Sequence, residues 1–309
     1  MDQLNLFDMP TFSTEKKIRL IELFAGMGTQ AQALERLGVD FEHHFVCEFA
    51  KCAMQVYNAI HGTNFATSDV TQIHATDLNI TEKDKYTYIL TYSFPCQSLS
   101  LAGKQEGMAK GSGTRSGLLW EVERLINECK ELPDVLLMEN VPQVHSEKNI
   151  NDFESWLSFL RSKGYYNFYQ DINAKTMGVP QNRDRCFCVS ILSDDFIDYE
   201  FPKEIKLPCV MKDYLEPTVD EKYYINSPKA KELIEKLVVE NKITEKECCD
   251  MTINKPKIIN TMNCITARYD CGISNQQSMG GVLLNVKNNS FREYLQRKSR
   301  TRVCGECLG

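Results

Sequence analysis

The chain has 309 residues, enough to bury a real core as one large domain or as a large domain carrying a smaller one. Its formal charge of −6 excludes a uniformly basic surface but leaves local patches open, and no apolar run approaches the ~18 residues of a membrane span. Met1 to Lys17 lacks a secretory-signal pattern and the thirteen cysteines are odd in number and scattered, so a cytoplasmic protein with reduced thiols is expected.

Strand-like and amphipathic helical runs alternate through the first half, which predicts an α/β layer around a mainly parallel sheet with helices on both faces. Ile18 to Phe24 reads as a strand, followed by the turn Ala25-Gly26-Met27-Gly28 and a helix from Thr29 to Leu37 that Gly38 stops. His44 to Cys47 is a second strand ending at Glu48, and Ala50 to Ile60 suits a helix. Asp69 is expected at the end of a third short element. Tyr88 to Ser93 is a strand running into Phe94-Pro95-Cys96-Gln97, Leu118 to Cys129 a helix, Asp134 to Met138 a strand ending at Glu139-Asn140-Val141, and Phe153 to Ser162 a helix. Phe168 to Ala174 and Arg185 to Leu192 read as two strands joined across Gly178-Val179-Pro180-Gln181. From about 196 to 256 the rhythm is lost, and the last 25 residues show no apolar period.

Several of these positions carry chemistry. Gly26-Met27-Gly28, between a strand and a helix, lets a ligand approach a helix N-terminus, although a plain tight turn explains it equally well. Glu48, about 20 residues on, can accept both ribose hydroxyls of an adenosine, and Asp69 can accept from an adenine amino group. Cys96 lies just past a strand, where open α/β folds place ligands, and Pro95 restrains its loop. Most cysteines are inert small hydrophobes, yet five of the sixteen glycines follow this one (Gly103, Gly107, Gly111, Gly113 and Gly117), which predicts a lid. Lys104, Lys110 and Arg115 in that segment, and the basic run Lys287 to Arg302, suit phosphate contact or a solvated face. The five histidines form no ligand spacing and Cys304-Gly305-Glu306-Cys307 stands alone, so no metal site is expected.

Leu23-Phe24-Ala25-Gly26-Met27-Gly28, Pro95-Cys96-Gln97, Glu139-Asn140-Val141 and Gln181-Asn182-Arg183-Asp184-Arg185, in this order, resemble the ordered motifs of the cytosine-5 DNA methyltransferase family. Asn263 to Leu284, with Ile265-Thr266-Ala267-Arg268-Tyr269, is similar to the family's penultimate block. The resemblance implies a catalytic domain over 1–195, a target-recognition region over 196–260, and the penultimate block with a basic tail over 261–309. It implies S-adenosyl-L-methionine contacts from Phe24, Glu48, Asp69 and Pro95 with Gly26 and Gly28 shaping the loop, and double-stranded DNA as partner. Cys96 is then the nucleophile at cytosine C6, Glu139 the group that protonates N3, and Arg183 and Arg185, alternating on one strand face, orient them. Because the target carbon is inaccessible in a duplex, the cytosine must be flipped, with Gln97, Ser98, Lys104, Lys110 and Arg115 at the DNA.

One feature departs from the family. Phe291 to Gly309 does not resemble its usual ending in Gly-Asn and a small residue, which implies an atypical ending, a truncated chain, or a second polypeptide that completes the cofactor site. Three rivals stand beside DNA methylation: an RNA cytosine methyltransferase, a non-catalytic nucleic-acid-binding or partner subunit, and an unrelated cysteine hydrolase, whose histidine base has no suggestive candidate beyond His145. A restriction-modification or similar DNA-methylation role is the expected setting.

Overall fold

The computed structural model describes residues 15–99 and 106–208, and beyond them residue 239 and the strand segments named below. The chain divides into two compact units. The first holds the chain to Asp171 together with Arg185–Phe201, and the second holds Ile172–Asp184 and the chain from Pro202.

The first unit is built on a six-stranded sheet in the order β2-β1-β3-β4-β7-β5. Its strands are β1 (Lys17–Leu23), β2 (Phe41–Cys47), β3 (Tyr86–Tyr92), β4 (Val135–Asn140), β5 (Tyr165–Asn173) and β7 (Asp184–Leu192). β1 pairs in parallel with β2 and with β3, β3 pairs in parallel with β4, and β7 runs antiparallel to β4. This is the mainly parallel α/β layer that the alternating pattern predicts. The helices are α1 (Thr29–Arg36), α2 (Lys51–His61), the short α3 (Ala75–Leu78), α4 (Leu119–Glu128) and α5 (Ile150–Ser162).

Burial explains why the central strands read as continuous apolar runs. Ile21, Leu23, Leu90, Tyr92, Leu136 and Met138 are all buried, and α4 and α5 contribute Val122, Leu125, Ile126, Phe153, Trp156 and Leu160 to the same core. Each such side chain contributes roughly 1.5–3 kcal/mol by leaving water. Buried polar tips find partners. The Trp156 indole donates to the Tyr92 hydroxyl at 3.1 Å, and the Tyr165 hydroxyl donates to the Pro133 carbonyl at 2.7 Å.

The strand order positions the functional end. From β1 the chain goes to β2 on one side, then returns to β3 on the other, so the order reverses between β1 and β3. Open α/β sheets bind ligands in the crevice outside the strand C-termini at such a reversal.

The second unit contains β6 (Gln181–Asn182), which pairs in parallel with β11 (Met262–Asn263). It also contains a five-stranded sheet in the order β10-β9-β12-β13-β8, made of β8 (Tyr224–Ile225), β9 (Asp250–Thr252), β10 (Lys255–Lys257), β12 (Gly281–Val286) and β13 (Ser290–Leu295). β12 and β13 form an antiparallel pair within a stretch whose sequence shows no clear period.

Two sequence expectations are corrected. No strand lies between α2 and Asp69. The segment after α2 is instead held to the end of β2, where the Ser68 N–H donates to the Glu48 carbonyl at 3.0 Å. Arg183 and Arg185 do not share a strand, because β7 opens at Asp184. The Arg183 N–H donates to Asn173 Oδ1 at 3.3 Å and its carbonyl accepts from the Ala174 N–H, both within the second unit.

Candidate active site

The parallel register brings the strand ends level. Leu23 faces Cys47 on one side and Tyr92 on the other, and Tyr92 faces Met138. The residues that follow each pairing, Phe24, Glu48, Ser93 and Glu139, therefore emerge along one edge. β7 runs the other way, so its first residues reach the same edge. There Arg185 Nε lies 2.8 Å from a Glu139 carboxylate oxygen, with both side chains about one-fifth exposed.

The loop after β1 turns within a few residues. Phe24 adopts φ 57° and Gly26 φ 58°, a left-handed conformation that costs a non-glycine residue steric strain. The Ala25 N–H donates to the Cys47 carbonyl at 3.1 Å, and the Gly26 N–H to Glu48 Oε2 at 2.8 Å. The other Glu48 oxygen accepts from the Ala50 N–H at 2.7 Å. Each oxygen thus retains a lone pair for a ligand hydroxyl, with the carboxylate held by backbone rather than by a cation. A Cβ on Gly26 would meet nothing within 4 Å, so the space over this turn is open. Gly28 is different: a Cβ there would lie 2.4 Å from His61 Nε2 and 2.6 Å from Tyr57 Cε2, which leaves room for glycine alone. Asp69 Oδ1 accepts from both the N–H and the hydroxyl of Thr71 at 2.9 Å, which fixes its orientation.

The loop after β3 is pinned through three consecutive carbonyls. Asn140 Nδ2 donates to the Phe94 carbonyl at 3.0 Å, Ser116 Oγ to the Pro95 carbonyl at 2.7 Å, and the Leu99 N–H to the Cys96 carbonyl at 2.9 Å. Asn140 and Ser116 are buried. Proline, these clamps and the core together set the direction of the Cys96 side chain. Among the described residues the free thiols are Cys47, Cys96, Cys129, Cys186 and Cys188. Burial pushes Cys47 and Cys129 up to about 11 and Cys188 up to about 12, and raises Cys186 further. Those four thiols are poor nucleophiles near neutral pH.

The glycine-rich segment is described from residue 106. Gly107, Gly111 and Gly113 take positive φ, and the segment folds back on the cysteine loop through the Gly107 N–H on the Ser98 carbonyl at 3.0 Å. Arg115 Nη1 donates to Gln97 Oε1 at 2.8 Å. Ser98 is buried, and Lys110 pairs with Glu123 at 2.7 Å while its ammonium lies 5.3 Å from the Trp120 ring centre. Lys104, Gly103, most of 196–260, the tail beyond Leu295 and Cys304-Gly305-Glu306-Cys307 lie outside the described residues.

Two features of the site escape the sequence reading. Asn140 and Ser116 act on a loop 46 and 21 residues away in the chain, and no local pattern marks that. Phe49, 76% exposed beside Glu48, is the other. Its signal, an aromatic directly after the strand-end carboxylate, is present in the sequence.

The family model for C-5 cytosine-specific DNA methylase matches residues 18–302. The chain is 33% identical over 257 residues to the type II methyltransferase M2.ScrFI of Lactococcus lactis subsp. cremoris, covering 68% of this chain and 71% of that one. It is also 33% identical over 299 residues to the orphan methyltransferase M.SssI of Spiroplasma monobiae, covering 79% and 74%. The solved structure of the S. pombe Dnmt2 methyltransferase shares the fold with a TM-score of 0.64 at 17% identity, over 95% of this chain and 92% of that one. The chain belongs to the C-5 cytosine-specific DNA methylase family, enzymes that methylate cytosine in DNA with S-adenosylmethionine as methyl donor. No helix among the described residues is long and apolar enough to cross a membrane.

Proposed function

We propose that this chain methylates C5 of a flipped cytosine in double-stranded DNA through a covalent adduct between Cys96 and C6. The observation that carries the reading is the shared edge, with a partly exposed Cys96 on a pinned loop and Glu139 beside Arg185. S-adenosylmethionine, when bound, supplies an electrophilic methyl group, and the turn fits it. The open face over Gly26, the backbone-held Glu48 carboxylate and the exposed Phe49 ring suit the glycine approach, the ribose hydroxyls and the adenine face. Asp69 is assigned to the adenine amino group.

In this mechanism the Cys96 sulfur bonds to C6 while Glu139 delivers a proton to N3, so the ring's electron pair moves to C5, which becomes the nucleophile. Arg185 holds Glu139 in place. Arg183 is assigned to the cytosine carbonyl. After transfer, water takes the C5 proton as the thiolate is expelled, and N3 returns its proton to Glu139, which restores the neutral ring. Gln97, held by Arg115, lies on the cysteine loop at the face from which the base leaves the duplex, and the region 196–260 reads the surrounding sequence. Lys104 and Lys110 are assigned to phosphates, Lys110 by exchanging Glu123 for DNA. We place the activity in a restriction-modification or similar DNA-methylation setting in the cytoplasm, since M2.ScrFI carries the name type II methyltransferase.

Covalent trapping tests the reading. With fluorine in place of the C5 proton the final elimination is blocked, so the chain incubated with S-adenosylmethionine and 5-fluorocytosine DNA is expected to give a complex stable to denaturant. Trapping on RNA instead reassigns the substrate, and no trapping on either leaves a nucleic-acid-binding subunit. Repeating the assay with a relative's C-terminal segment added tests the expectation of a second polypeptide.

A further inference from the structure

Beneath the Gly26–Gly28 turn lies a polar cluster that the reaction does not use. Glu35 comes from α1, His43 from β2 and His61 from α2, and one donor atom from each lies within 4.8 Å of the others. His61 Nδ1 is 2.8 Å from Glu35 Oε1, and His61 Nε2 is 3.1 Å from the Met27 carbonyl. Both ring nitrogens therefore face oxygen acceptors, although a neutral imidazole donates from one nitrogen only. With Nε2–H on the Met27 carbonyl, Nδ1 directs a lone pair at a carboxylate. That pairing requires a positive charge between them.

His43 is arranged in a complementary way. The buried Tyr57 hydroxyl donates to Glu22 at 2.5 Å, so its oxygen accepts from His43 Nδ1–H at 2.7 Å and the other ring nitrogen, Nε2, keeps its lone pair. Metal-binding histidines characteristically donate their second ring N–H to a carbonyl or to a group backed by a carboxylate, which fixes the tautomer. Both histidines here meet that pattern, His61 through Met27 and His43 through Tyr57 and Glu22.

We propose that Glu35, His43 and His61 form a binding site for a borderline divalent cation of the zinc class, with water completing the shell. Bonds of about 2.0–2.1 Å at tetrahedral angles set donor separations of roughly 3.3 Å, which the 42%-exposed Glu35 carboxylate reaches by a change of rotamer. The ion ties α1, β2 and α2 together directly under Gly28, whose missing side chain makes room for His61 and Tyr57. Ligands from three separate elements explain why the histidine spacing gives no motif.

The test uses the full purified chain and Co2+ as a spectroscopic probe, with Zn2+ as competitor. Expected are visible d–d bands without thiolate charge transfer, displaced by Zn2+, and a rise in melting temperature with Zn2+. Glu35→Gln and His43→Gln should each lose these bands and the thermal shift while keeping the wild-type circular dichroism. Tyr57→Phe, which removes the support of His43, should weaken binding by about 10–100-fold. Bands and thermal shift unchanged in both Glu35→Gln and His43→Gln, or cobalt binding through thiolates alone, would overturn the site.

Discussion

The two ends of the central sheet differ in what they leave exposed, although each holds an ion pair, Arg19–Glu42 at one and Arg185–Glu139 at the other. At the end where β1 and β3 begin, charged groups pair with one another. Arg19 donates to Glu42 at 2.6 Å and to the Tyr88 hydroxyl at 2.8 Å and stacks 3.5 Å from the Tyr86 ring centre, while Lys83 pairs with Asp134 at 3.0 Å. At the other end the Glu48 carboxylate is held by backbone N–H groups, Cys96 sits on a loop pinned through its carbonyls, and Phe49 projects into solvent. The first arrangement satisfies its groups internally and serves stability. The second fixes positions while leaving lone pairs and a ring face outward beside the partly exposed Cys96, as a site preorganised for something else requires.

Substitutions at the two ends should therefore separate activity from stability. The largest effect is expected for Cys96→Ser, which should reduce tritiated methyl transfer to background while S-adenosylmethionine and DNA still bind, because an alkoxide precursor cannot replace the thiolate at C6. Substantial residual turnover would remove Cys96 from the chemistry. Glu139→Gln keeps the shape but loses the proton, and should slow turnover by ~10²- to 10⁴-fold in single-turnover assays. An unchanged rate would mean that another group protonates N3. Glu48→Ala should weaken cofactor binding by ~1–3 kcal/mol in calorimetry, since it strands hydrogen-bonding groups in a partly closed site. Equal affinity would move the ribose elsewhere. Arg19→Met, at the opposite end, should cost about 1.5–3 kcal/mol in urea unfolding for the lost charge-assisted bonds and leave the transfer rate of the folded enzyme unaltered. A rate defect there would erase the contrast between the ends. The smallest effect is a difference in reactivity. At pH 8 iodoacetamide should label Cys96 ahead of Cys47, Cys129, Cys186 and Cys188, whose thiols burial holds protonated, and mass spectrometry of the early adducts reads the order.

How much of this was legible in the sequence follows from distance along the chain. The β1–Gly26–α1 unit is local. An apolar run, a glycine turn and an amphipathic helix stopped by Gly38 each carry their own signal, and the observed strand and helix match the reading to within a residue or two. Pro95-Cys96 is legible for the same reason, since a proline after a buried strand ends it visibly. The clamps from Asn140 and Ser116 are not, because a side chain that bonds a carbonyl 46 residues away leaves no periodicity behind. Asp69 misled for a related reason. Phe65 and Ala66 among threonines before it imitate a short strand, whereas the backbone there is held to the end of β2 by the Ser68 N–H on the Glu48 carbonyl and by Cys47 Sγ on the Ser68 carbonyl. Arg183 and Arg185 show the limit of period-two reasoning, which assumes a continuous strand where the chain in fact passes from one unit to the other between them.

That passage has a consequence for modularity. Among the described residues the chain crosses between its two units three times, after Asp171, after Asp184 and after Phe201, so the second unit is not a cassette carried on one linker. A graft of foreign sequence specificity cut only near 196 and 260 would leave Ile172–Asp184, and with it β6 and Arg183, behind as a native remnant among transplanted neighbours. A graft whose second cut falls beyond Met262–Asn263, the strand that pairs with β6, must therefore keep this thirteen-residue excursion compatible with the new partner strand, or carry both pieces together.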